Sequence, residues 1–349
     1  MPNTQQSNKV INTNASSSAF GWDFQTNAAI FFALKNIKEL LSFKVEGDIE
    51  DIELYLKGNK NIYIQAKSQE NPIPGTNTLN KLTDGLKTLI NASNQGHYNQ
   101  LIYISNIQNP LKDKSLDYYW RSDYSIYNYE ELPIKAQGII NKYIETAANK
   151  YNLNLSNLNL SSLRIGTFFF FGENLDTRYK VINSAVKEFV ASAQAPEGKA
   201  NDLLDYWQKI IFQNSTNKYV KLSKEDFIWP LVVLESSVSF DGAFFDDYDL
   251  GQVDEIKRKY SLFIEKKSEQ FEFVTRVISH YNDFVKNNHQ LKRKESIQRF
   301  IDSQWVSYSS DIINDLIDDE IKEGLIRLII FQILTKRFSI DNVKRAAGL

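Results

Sequence analysis

Apolar positions change their spacing about halfway along the chain. Between residues 21 and 190 they switch between helical and strand periods, whereas from about residue 195 nearly every segment keeps the helical one. Phe24, Ala28, Phe31, Phe32, Leu34, Ile37 and Leu41 predict a long helix over 24–41. Alternation then predicts strands at 43–46, 51–56 and 62–67, the last two joined into a hairpin by Gly58, Asn59 and Lys60. Helices are expected at 79–90, 134–151 and 176–190, and strands at 100–107 and 163–171. The order αβββαβαβα describes a mixed sheet flanked by helices.

The second half reads as helices at 202–212, 224–234, 250–287, 294–304 and 310–338, a helical bundle. Ser223 is placed to cap the second of these, with Asp226 at the reciprocal position. Pro196 and Gly198 interrupt a helical pattern and set an expected boundary between 21–194 and 195–349. Residues 1–20, rich in Asn, Ser, Thr and Gln, are expected to be a flexible leader.

Composition narrows the chemistry. The 349 residues are 42% apolar and carry 41 basic against 43 acidic groups, so no global positive field attracts nucleic acid and any such contact is local. Without cysteine, thiolate sites are excluded, and the spacing of His97, His280 and His289 makes no His-x-x-x-His zinc site and argues against a histidine triad. Catalysis would rest on carboxylates, amides, lysine and a hard cation, Mg²⁺ or Mn²⁺. No apolar run approaches the roughly 20 residues of a membrane span, and a cytoplasmic location is expected.

The hairpin gathers the polar residues. In 62–67 the apolar Ile62, Ile64 and Ala66 share one face and leave Gln65 and Lys67 on the other; in 51–56 the same parity groups Asp51, Glu53 and Tyr55. With a loop at 58–60, Glu53 lies across from Gln65 and Asp51 from Lys67. Two readings fit: a solvated strand face with cross-strand ion pairs, or a catalytic face.

The acid, the turn and Gln-x-Lys at the end of the next strand resemble the restriction-endonuclease core, in its Gln-x-Lys variant. Here Asp51 is followed by thirteen residues and then by Gln65-Ala66-Lys67. Phe20-Gly21-Trp22-Asp23-Phe24-Gln25 before a long helix is similar to the opening of the double-stranded-DNA endonuclease domain of bacterial anti-phage systems. The resemblance is close over about the first 70 residues and loose to about 190. It implies an α/β restriction-endonuclease-like N-terminal domain followed by an all-α C-terminal domain. It also implies that Asp51 and Gln65 hold the metal while Lys67 orients water or stabilises the transition state. Glu46 is the candidate for an additional acidic ligand, or else a surface acid; Gln25 and Glu53 would support the site, or Gln25 would be a buried amide bonded to backbone.

Members of that family in CBASS systems carry a SAVED sensor domain, from which the helical second half departs. The architecture is closer to the nuclease subunit of a Lamassu-type system, which implies double-stranded DNA as substrate and an SMC-like ATPase with a small accessory subunit as partners. Oligomerisation on activation is expected too. The alternatives are a stand-alone Mrr-like restriction endonuclease and a catalytically inert scaffold. Lys257, Arg258, Lys259, Lys266, Lys267 and the run 292–294 could touch phosphate or form an ordinary charged exterior. Ile312, Ile313, Leu316, Ile317, Ile321, Leu325, Ile329 and Ile330 suggest a broad apolar interface on the final helix, or a helix buried on all sides.

Overall fold

The computed structural model describes residues 16–215, 221–235, 242–246, 248–264, 268–312 and 319–349. Helix α1 (Ser16–Lys35) leads into strands β1 (Leu40–Val45), β2 (Ile52–Leu56) and β3 (Lys60–Lys67). There follow α2 (Thr78–Gln95), β4 (Gln100–Ser105), β5 (Tyr124–Asn128), α3 (Ile134–Tyr151), β6 (Leu163–Phe168), α4 (Leu175–Arg178) and α5 (Lys180–Ser192). Beyond them lie α6 (Lys199–Ser215), β7 (Leu222–Ser223), α7 (Lys224–Glu235), α8 (Leu250–Ile264) and α9 (Ser268–Asn287). The chain closes with α10 (Arg293–Gln304), α11 (Ser309–Ile312) and α12 (Asp319–Ala347). The seven strands form one mixed sheet in the order β5-β6-β4-β3-β2-β1-β7.

Two compact units are distinguished. The first comprises the chain to Ala29, Val45–Glu53 and Lys60–Ile182; the second comprises Ile30–Lys44, Leu54–Asn59 and Asn183–Leu349. The boundary expected after residue 194 therefore falls inside the second unit, which also takes two segments from the first half.

In the first unit β3, β4 and β6 run parallel, with β5 antiparallel at the edge. One face is covered by α2 and α3 through a core that includes Tyr63, Leu86, Leu89, Tyr103, Ile140, Ile144 and Ile165. Phe24 packs edge-on against Phe168 and Phe170 at 5.9 and 5.4 Å, seating the first turns of α1. Parallel strands flanked in this way bury both faces. The Asn106 side chain then ties three strand ends together: its amide donates to the carbonyls of Gln69 (2.8 Å) and Phe170 (2.7 Å), and its oxygen accepts from the Gln69 N–H (2.9 Å).

In the second unit, β7 pairs antiparallel with β1 through Ser42 and Ser223, so the helical half contributes a short strand and is not purely α. The expected cap is present: the Ser223 hydroxyl donates to Asp226 Oδ2 at 2.8 Å and accepts from the Asp226 N–H at 3.0 Å. Trp207 stacks on Phe227 with ring centroids 4.3 Å apart. The buried Lys224 ammonium donates to the carbonyls of Lys38 and Ala347 at 3.0 and 2.9 Å.

Several boundaries differ from expectation for physical reasons. Helix α1 ends at Lys35, so Leu41 belongs to β1; Ala28 through Leu34 are buried all round and carry no polar face to mark the end. Residues 16–20 are helical rather than part of a leader, whose remainder lies outside the described residues. The helix expected over 176–190 is divided between α4 and α5, and β5 is an edge strand that no expected element anticipated. Leu325, Ile329 and Ile330 of α12 are buried within their own unit and are core rather than exposed interface; 313–318 lie outside the described residues.

Asn106→Ala should lower stability by roughly 2–4 kcal/mol, because it removes three hydrogen bonds and strands buried backbone groups. Urea denaturation measures the loss, and an unchanged midpoint would contradict this account of the strand ends.

Candidate active site

The hairpins around β2 are held by main-chain bonds. The Lys57 N–H donates to Glu39 O (2.8 Å) and the Glu46 N–H to Asp51 O (2.8 Å), bracketing β1 against β2. Between β2 and β3 the turn is centred on Gly58 and Asn59, both with positive φ (74° and 56°), as tight hairpin turns require. Lys60 is thus the first residue of β3 rather than part of the loop.

Residues 46–51 form an acidic turn ordered from within. Glu53 is 1% exposed, and its Oε1 accepts from the N–H groups of Ile49 (2.7 Å) and Glu50 (3.2 Å). A Cβ at position 47 would overlap the Glu53 carboxyl where it sits, so Gly47 leaves that carboxyl its place under the turn. Glu46 adopts the left-handed conformation (φ 53°) beside it. From α1, Gln25 Nε2 donates to Glu46 Oε1 (3.0 Å) and to Asp51 O (3.3 Å), so it both orients an acid and satisfies backbone.

Asp51 follows the turn. Its Oδ2 accepts from Gln65 Nε2 and, at 3.2 Å, from the Ala66 N–H. The Gln65 oxygen accepts in turn from the Thr88 hydroxyl on α2. Gly85 lets that helix approach closely, since a Cβ there would strike the Tyr103 ring. Burial pushes the Asp51 carboxyl up to about 6, against the pull of the Lys67 ammonium and with a smaller push from Glu46. Lys67, at the end of β3, is partly exposed.

Asp51, Gln65, Lys67, Glu46 and Gln25 are therefore gathered in one neighbourhood, with Glu53 as the organiser of the turn. Of the two readings of this face, the solvated one does not hold at Tyr63 and Gln65, each 1% exposed beneath α2. Glu50 and Thr88 belong to the same neighbourhood although no periodicity singles them out. Glu50 is 5% exposed and its Oε1 has no hydrogen-bond partner. Burial first and the Asp51 charge second push its carboxyl from 4.5 to about 8, opposed by the Thr88 hydroxyl and Lys67. At neutral pH two adjacent acids thus hold different states: Glu50 neutral, Asp51 charged.

Among the described residues no three acidic or histidine side chains are gathered closely enough to hold a metal by themselves. Magnesium commonly needs only one or two carboxylates, its shell being completed by water and substrate phosphate, and Asp51 and Glu46 are two acids near enough for the Glu46 charge to push on Asp51. Gln65 Oε1 is committed to Thr88; turning the amide over would let Thr88 accept from Nε2 and bring Oε1 beside Asp51.

On α8 the basic candidates are partly neutralised, with Arg258 and Lys259 pairing with Glu255 at 2.7 and 3.2 Å. No helix among the described residues is long and apolar enough to cross a membrane.

No family model and no curated protein matches the chain. Among solved structures it is similar to the Cap4 SAVED/CARF-domain containing receptor of Moraxella osloensis, with 15% identity and a TM-score of 0.35, over 60% of this chain and 46% of that one. The Acinetobacter baumannii Cap4 receptor with the cyclic trinucleotide 3′3′3′-cAAA gives 13% identity and a TM-score of 0.35, over 59% and 43%. The chain spans less than half the length of these structures.

Glu50→Gln should stabilise the chain at pH 8 by roughly 1–3 kcal/mol. A group with a raised folded pKa contributes full stability only below its unfolded value, here 4.5, and loses it as pH rises toward 8. The gain should close as pH falls toward 5, as measured by urea denaturation across that range; a pH-independent difference would contradict the assignment.

Proposed function

We propose that this chain is a metal-dependent endonuclease acting on double-stranded DNA, with a restriction-endonuclease-like catalytic unit. The observation that carries the reading is the contact of Asp51 with Gln65 and the Ala66 N–H, close enough to Lys67 for the ammonium to hold the buried carboxylate toward its charged form. An acid, an amide and a lysine at one strand end suit hydrolysis of a phosphodiester.

Asp51, Glu46 and, after its amide turns over, Gln65 would hold Mg²⁺ or Mn²⁺. A bound divalent cation would supply charge stabilisation at the phosphate and lower the pKa of the attacking water. Before the amide turns over, Gln65 and Ala66 donate to Asp51. With Gln65 Oε1 turned to the cation, the Ala66 N–H, Lys67 and the cation itself would balance the Asp51 charge, and Gln25 holds the Glu46 carboxylate in place. Lys67 offers a mobile ammonium to orient water or balance charge on the phosphate in the transition state. Neutral Glu50 adds no further repulsion between substrate phosphate and the acidic turn.

The biological setting follows from the resemblance of 20–25 and of the Asp51 to Lys67 span to nucleases of anti-phage systems. In that setting the chain is a defence effector restrained or activated by an SMC-like ATPase and a small accessory subunit, or by self-association. A second reading, an inert scaffold, is favoured by the Gln65 amide being satisfied at both ends and by the absence of a three-acid cluster among the described residues.

Plasmid cleavage by the chain, alone and with products of neighbouring genes, separates the readings. The nuclease reading expects cutting that needs Mg²⁺ or Mn²⁺, stops in EDTA and falls about a hundredfold or more in a folded Lys67→Ala chain. Cutting that survives EDTA or Lys67→Ala eliminates this site, and no cutting under any of these conditions leaves the scaffold.

A further inference from the structure

A cavity of about 700 Å³ opens in the first unit where β4 and β6 end. In sheets with parallel strands, ligands favour the carboxyl ends of the strands. The volume lies within the range of small-molecule sites, about 300–1,000 Å³.

Three features distinguish its lining. Trp120 and Thr167 are each 4% exposed, and neither the indole N–H nor the threonine hydroxyl has a hydrogen-bond partner. More than about 90% of buried polar groups find one, so two unpartnered groups on residues that line a single cavity are unusual. Beside them Phe169 and Phe171 lie with ring centroids 4.1 Å apart, both only half buried. Lys112 and Lys114 line the same cavity, are exposed, and form no ion pair among the described residues.

We propose that this cavity binds a nucleotide, its base against Phe169 and Phe171, its edge bonded by Trp120 and Thr167, and its phosphate on Lys112 and Lys114. The chemistry is complementary part by part. An indole N–H donates only and so selects a base oxygen or ring nitrogen, while threonine can donate or accept. Phenylalanine rings stack with any base, and free ammonium groups attract phosphate.

The cavity lies near Lys67 in register. Lys67 pairs with Ser105 and Ser105 with Thr167 across adjacent parallel strands. Two strand spacings put Lys67 and Thr167 about 10 Å apart at the backbone, a reach of one to two nucleotides. Resting on the nuclease reading, the nucleotide is then part of the strand being cut; a free nucleotide would present the same base and phosphate.

Calorimetry on the full-length Lys67→Ala chain in EDTA tests binding without metal or cleavage, so failure of the nuclease reading leaves the test intact. The probes are deoxyadenosine monophosphate and a five-nucleotide deoxyadenosine strand. Saturable binding is expected, reduced at least about tenfold by Phe171→Ala or by Lys112→Glu with Lys114→Glu, and a few-fold by the isosteric Thr167→Val. A strand that binds at least about tenfold more tightly than the monomer identifies a polynucleotide occupant, whereas equal affinities identify a free nucleotide. Absence of binding by either probe, or binding that all three variants retain, overturns the proposal.

Discussion

Holding a charged carboxylate at Asp51, partly buried just before β2, is the constraint around which its neighbours are arranged. Removing an ion from water costs several kcal/mol unless hydrogen bonds and opposite charge offset it. The Gln65 amide, the Ala66 N–H and the Lys67 ammonium supply that compensation. Each depends on something further away: Gln65 on Thr88 of α2, α2 on the missing side chain of Gly85, and the turn before Asp51 on the buried Glu53 carboxylate. Glu50 receives no such compensation at Oε1 and is held neutral instead.

On the two proposed readings, one row of strand ends carries two kinds of recognition. Asn106 fastens the ends of β3, β4 and β6, so that the Lys67 side and the Phe169–Phe171 side share one rigid rim. A phosphodiester chain needs such a division of labour, with charge and oxygen ligands at the reacting phosphate and aromatic surface for a base nearby.

Period-two alternation made the β2 and β3 pair legible, and helix α3 falls on the expected residues 134–151. The Ser223 cap was legible too, because capping chemistry is local. Burial of Tyr63 and Gln65 was not, since alternation cannot distinguish a solvated polar face from one covered by a distant helix carrying Thr88. Glu50 lay hidden in a turn, where no periodicity operates. The extent of α1 was obscured by burial on every side, and the apolar stripe of α12 left interface and core undecided because the two kinds of face share one pattern.

Manganese binding to the full-length chain in the presence of an uncleavable phosphorothioate duplex, followed by electron paramagnetic resonance, tests the central claim most directly. The account predicts a site that Asp51→Asn weakens by at least about tenfold, while Asp113→Asn, at an acid paired with Lys135, leaves it unchanged. Undiminished manganese binding in the Asp51→Asn chain would contradict it.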